Sequence, residues 1–138
     1  MNNDTISLTD PAKQGYYTEN RDPVKGSKAH IIVEITEYLP GAVVSRTNIK
    51  KTSGNITLTS FDTGEEFAEK TSLYDTFIQV MDGAAEVLIN EKTYLLRLGN
   101  GIVIPAHASH CINANKHFKM ISTVIRRYNE ESKEDQVQ

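Results

Sequence analysis

The sequence predicts a single all-β domain, folded as a sandwich or a barrel. Three observations carry that expectation: short β-branched segments, turn residues at regular spacing between them, and no run of ten or more residues with a helical repeat. Nine strand candidates fall between His30 and Arg126. Many short, evenly spaced strands favour a closed or double-layered architecture, because closure hides the unpaired backbone groups of sheet edges.

In chain order, His30–Ile35 and Ala42–Thr47 are rich in Val and Ile and are separated by the turn Pro40-Gly41. Asn55–Phe61 alternates apolar with hydroxyl side chains, through Ile56, Leu58 and Thr57, Thr59. Thr76–Met81, Ala85–Ile89, Thr93–Leu98, Gly101–Ile104, His110–Asn113 and Lys119–Arg126 follow. Turn signals stand at Ser53-Gly54, Asp82-Gly83, Asn90-Glu91 and Asn100-Gly101. The strands define a domain over 29–128. Residues 1–28, rich in Asn, Asp, Lys, Gly and Pro, form an extended or disordered arm, and 129–138 an acidic polar tail. Tyr16 and Tyr17 are costly to leave in water, which gives the arm an alternative as a segment that packs on a partner subunit.

Composition excludes several classes of function. The chain has 138 residues, enough for one ordinary core. Its net charge is −3 from 15 basic and 18 acidic residues, and the last ten residues, with four acids and one lysine, account for all of it. A neutral body has no basic surplus for nucleic-acid phosphates. No apolar run reaches the roughly 20 residues of a membrane span. With no charged-then-apolar leader and one cysteine, Cys111, the expected address is the cytoplasm and no disulfide is expected. No G-x-S-x-G elbow or phosphate-cradling glycine loop is present, so a nucleophilic hydrolase is unsupported.

Two stretches carry more specific spacing. Gly64 is followed at fixed intervals by Lys70, Ser72, Thr76 and Gly83. After 15 intervening residues, Gly99 is followed by Pro105, His107, His110 and Ala114. This skeleton resembles the two motifs of the cupins, G-x5-H-x-H-x3-E-x6-G and G-x5-P-x-G-x2-H-x3-N. Glu37-Tyr38-Leu39-Pro40-Gly41, Tyr74–Val80 and Phe118–Ile121 are similar to short stand-alone bacterial members of that superfamily. The resemblance implies a double-stranded β-helix, the jelly-roll barrel, and a homodimer paired through sheet faces or exchanged N-terminal strands.

The same resemblance puts the family's metal ligands, two His, a Glu and a further His, at Lys70, Ser72, Thr76 and His110. Only His110 retains a ligand's chemistry. A lysine presents three donors and no lone pair, and lowering its pKa to 7 costs on the order of 4–5 kcal/mol. Ser72 and Thr76 are neutral hydroxyls, poor substitutes for carboxylate. The four-ligand centre is therefore expected to be absent, with no cofactor in its place. Lys70, Ser72, Thr76 and His110 would instead form a polar ligand site walled by Ile78, Val80, Val103 and Ile112.

The plainer readings stand beside this one. His110 also fits a hydrogen-bonded core residue, and His107, where the motif has Gly, fits a turn with positive φ. Glu65, Glu66 and Glu69 fit a solvated loop, Asp75 a turn, and Cys111 a small apolar residue facing away from the cavity. His30, at a strand start, and His117, in a turn, receive no chemical role. Three functions stay open: a metal-free barrel binding a small polar or anionic molecule; a metal-dependent dioxygenase, isomerase or decarboxylase with an improvised site at His110, His107 and a glutamate; and a structural or partner-binding protein with a filled barrel.

Overall fold

The computed structural model describes residues 27–126. The expected arm, with Tyr16 and Tyr17, lies outside the described residues but for Ser27 and Lys28, and so does the polar tail. Eight strands follow one another: β1 (Val43–Lys51), β2 (Gly54–Phe61), β3 (Glu66–Lys70), β4 (Asp75–Ile89), β5 (Lys92–Arg97), β6 (Gly101–Ile104), β7 (His110–Asn113) and β8 (Phe118–Ile125). All pair antiparallel. The order is β1-β2-β8-β4-β7-β3, with β5 and β6 added on β4.

β4 holds the two layers together. Its first part pairs with β8 and β6, and its last part, from Ala84, pairs with β5 and β7. The sequence splits this strand in two at Asp82-Gly83, because Asp-Gly reads as a turn. The structure shows a bulge there instead: the register to β8 slips by one residue between Val80 and Asp82, which bends the strand from one sheet into the other. Gly83 has φ +74°, and a Cβ on it would stand 2.3 Å from the His117 carbonyl oxygen, so the bend requires glycine.

Two further differences from the sequence expectation have physical causes. His30–Ile35 is no strand: Ile32–Glu34 forms a single 3₁₀ turn. The segment after it is tied across the outer face of the β1-β2-β8-β4-β6 layer. Thr36 Oγ1 bonds Ser60 Oγ at 2.5 Å, and Lys119 Nζ donates to the carbonyls of Val33 and Thr36. Conversely, Glu66–Lys70 is a strand although charge dominates it. As the edge of its layer it turns Phe67 to the core while Glu66 and Glu69 remain exposed.

The core fills one end of the barrel. Phe61 and Phe118 are fully buried and stack at 4.4 Å between centroids, and Phe67 meets Phe61 edge-on at 4.8 Å. Such pairs are worth about 0.5–1.5 kcal/mol beyond the area they bury. The alternation in β2 runs against simple expectation. Phe61 faces the core, so Thr57 and Thr59 point inward too, against Thr47 and Ser45 of β1 (Ser45 Oγ to Thr59 Oγ1, 3.0 Å). Ile56 and Leu58 consequently face outward.

Candidate functional site

At the opposite end of the barrel the inner face changes character. One row runs across the β5-β4-β7-β3 layer as Lys92, Ile89, His110 and Lys70, each opposite the next. Ile89 belongs to the core cluster, and His110, only 5% exposed, shares a face with buried Ile112. Lys70 joins that face through a bulge. Phe67 opposes Ile112 and Lys70 opposes His110, so Ala68 and Glu69 together oppose Cys111. Strict alternation from Phe67 would turn Lys70 outward. With the extra residue its Nζ lies 5.2 Å from the Phe67 ring centroid.

His110 Nδ1 lies 3.2 Å from the Ala108 carbonyl, which makes Nδ1 the protonated nitrogen and Nε2 an acceptor in the neutral ring. On the other layer, Thr76 stands opposite Ile104 and Val124 and shares the inward face of Ile78 and Val80. Ser72 lies between β3 and β4. Its hydroxyl accepts from the Tyr74 N–H at 3.1 Å, and its carbonyl from the His107 N–H at 2.7 Å. Lys70 and His110 are thus brought side by side, Thr76 faces inward from the facing layer, and the Ser72 hydroxyl is occupied within its own turn.

The remaining candidates fall as follows. His107 is exposed at φ +71°, a turn residue. Asp75 fastens the same turn by accepting from the Ala106 N–H at 2.8 Å. Glu69 accepts from the Ser109 hydroxyl, and Glu66 stands opposite Asn113 on the outer face. Glu65 is tied to Ala114 at the filled end, and burial, then Asp62, then Glu66, push its carboxyl above the usual range. None of the three glutamates stands on the His110 row, and among the described residues no three His, Cys, Asp or Glu side chains gather as metal ligands. Cys111 faces outward and is half-buried, where desolvation, then Glu69, Glu66 and Glu86, raise its thiol. Ile78, Val80 and Ile112 wall the interior as expected. Val103 is 55% exposed on the outward side of β6, whose inward positions are Ile102 and Ile104, and it lines a groove beside that strand.

Sequence reasoning missed Lys92 and Tyr94. They line a groove of about 470 Å³ between the two edge strands β5 and β6, together with Ile89, Asn90, Ile102, Val103 and Pro105. The signal was present in part. Lys92, Tyr94 and Leu96 share a face, and Leu96 is buried, so Lys92 is an inward position at the strand's end.

A bent antiparallel strand shared by two layers, glycines at positive φ at 64, 83 and 99, and an inward histidine near the mouth define a double-stranded β-helix barrel. The sequence matches no family model and no curated protein. Solved structures match well. A conserved protein of unknown function from Streptococcus pyogenes superposes with a TM-score of 0.73 at 27% identity, over 76% of this chain and 92% of that one. A cupin superfamily protein from Desulfitobacterium hafniense gives 0.71 at 22%, over 76% and 96%. A cupin 2 conserved barrel domain protein from Leptotrichia buccalis gives 0.66 at 26%, over 68% and 46%. The chain has the fold of the cupin superfamily. The metal that many cupins hold does not fit the residues here: an ammonium, two hydroxyls (one already accepting a backbone N–H) and one imidazole do not make a divalent-cation donor set.

Proposed function

We propose that this small cupin binds a small polar or anionic molecule at the mouth of its barrel, through Lys70 and His110 with Thr76 and Ser72 beside them, and without the four-ligand metal. One observation carries the reading. Lys70 stands opposite nearly buried His110 on the inner face, and its ammonium contacts an aromatic ring and no carboxylate among the described residues. A cation without a carboxylate partner beside a nearly buried imidazole favours an anion, because the unlike charges attract. The lone free thiol, Cys111, fits a reducing cytoplasmic address.

The test is an NMR titration of the full chain with oxalate and with phosphate. At least one is expected to move the amide signals of Lys70 and Cys111, with affinity reduced about tenfold or more in Lys70→Met. Near-stoichiometric Fe, Mn, Ni or Zn in freshly purified protein, lost in His110→Ala, would instead establish an improvised metal site and overturn the reading.

We also infer a homodimer formed through the outer face of the β1-β2-β8-β4-β6 layer. An outward row of Ile49, Ile56, Thr123, Phe77 and Val103 crosses all five strands without a charge. Ile49 is 48%, Phe77 38% and Val103 55% exposed. Apolar residues outside and hydroxyls inside make this sheet read as if its outer face were covered. An uncharged row through the middle of a sheet also suits the self-complementary patch that a two-fold pair needs. Light scattering should give twice the chain mass, and one chain mass for Phe77→Lys. A monomeric parent protein would refute the dimer.

A further inference from the structure

We infer that the groove between β5 and β6 is where the body of the ligand lies, and that the ligand is a monocarboxylate with a compact apolar body, its carboxylate held by Lys92. This rests on the reading that the barrel mouth binds an anion, and it adds a site, a residue and a chemical class to it. At about 470 Å³ the groove lies within the usual size range of small-molecule sites, far more than oxalate or phosphate would fill. Its floor is apolar, from Ile89, Ile102 and Pro105, and Tyr94 offers a ring face.

The polar groups of the groove are few and match one charge. The Lys92 ammonium lies 5.6 Å from the Tyr94 ring centroid and pairs with no carboxylate among the described residues. Asn90 uses its carbonyl oxygen to accept from the Ser109 N–H, which leaves its amide donors. One ammonium with one amide suits a carboxylate. A phosphate dianion calls for more N–H donors than this groove supplies.

The groove also joins the anion site. Ile89 lines it and stands opposite His110, so the row Lys92, Ile89, His110, Lys70 leads from the groove into the mouth. Adjacent strands lie about 4.8 Å apart, which puts the Lys92 and Lys70 backbones about 14 Å from each other along the sheet. Lys92 is therefore a second anchor, distinct from the pair Lys70 and His110. The edge position of both groove strands gives the ligand its entry.

The experiment is an NMR titration of the full chain with benzoate and hexanoate, against the neutral isostere benzamide and the body-less anion acetate. Benzoate or hexanoate is expected to move the amides of Lys92, Tyr94 and Ile102, binding at least about tenfold more tightly than benzamide or acetate. Lys92→Met, an exposed edge substitution, should weaken the carboxylate about tenfold and leave benzamide unchanged. Acetate binding as well as benzoate, or no shift in groove amides with either carboxylate, overturns the inference. Carboxylate binding lost in Lys70→Met and His110→Ala but intact in Lys92→Met removes the groove and leaves the mouth site standing. Binding lost only in Lys92→Met keeps the groove and removes the Lys70–His110 reading, and binding intact in all three removes both.

Discussion

The two ends of the barrel interior are built by opposite rules. One end is closed by Phe61 in ring contact with both Phe67 and Phe118, in one core cluster with Val80, Val87 and Met120. The other carries Lys70, His110, Lys92 and Thr76 on the same inward faces and opens into a groove. The closed end is where the structure obtains its cohesion from apolar burial. At the open end the row ends at exposed Lys70 and Lys92, whose side chains are free to serve a ligand.

The contrast can be broken most sharply by restoring the ligands. Lys70→His, Ser72→His and Thr76→Glu together should create a metal site with His110, taking affinity for Zn or Ni from none to micromolar, about 8 kcal/mol of binding, by calorimetry. A triple variant that binds no metal would show that these side chains do not converge. Next in size, Phe61→Ala at the closed end should cost about 3–5 kcal/mol in urea unfolding. Lys70→Met at the open end should stay within about 0.5 kcal/mol of the parent. Equal losses at both ends would erase the distinction. Gly83→Ala should cost about 1–3 kcal/mol, since the bend cannot hold a Cβ against His117 at positive φ.

The smallest effect is a pH dependence at the closed end. Burial and neighbouring carboxylates raise the folded-state pKa of Glu65 above its unfolded value. The folded chain therefore holds that proton more tightly, and the group's contribution is complete below the unfolded pKa of about 4.3 and lost as pH rises through the folded one. Glu65→Gln should melt about 1–2 °C higher than the parent at pH 7 and match it near pH 4 by calorimetry. A higher melting point at pH 4 alone would reverse the sign.

Much of the barrel was legible in residue order, for local reasons. β-branched runs and the Asn90-Glu91 and Pro40-Gly41 turns report backbone preferences, and the glycines at 64, 83 and 99 do occupy positive φ. The strand Glu66–Lys70 was not legible, because an edge strand with one inward side chain reads as a polar loop. The segment His30–Ile35 misled for the converse reason. Its β-branched residues suit a strand, but strand formation needs a neighbour, and the segment instead runs over the back of a sheet.

What the sequence determined by itself, then, is the β architecture, because it depends on spacing and residue chemistry along the chain. Only the tertiary structure decided which residues share the mouth. The bulge at Ala68–Glu69 turns Lys70 inward, and strand pairing places Lys92, three strands away, on the same row. Register between distant strands is set by packing of the whole sheet, and no local pattern around Lys92 encodes the partner it will face.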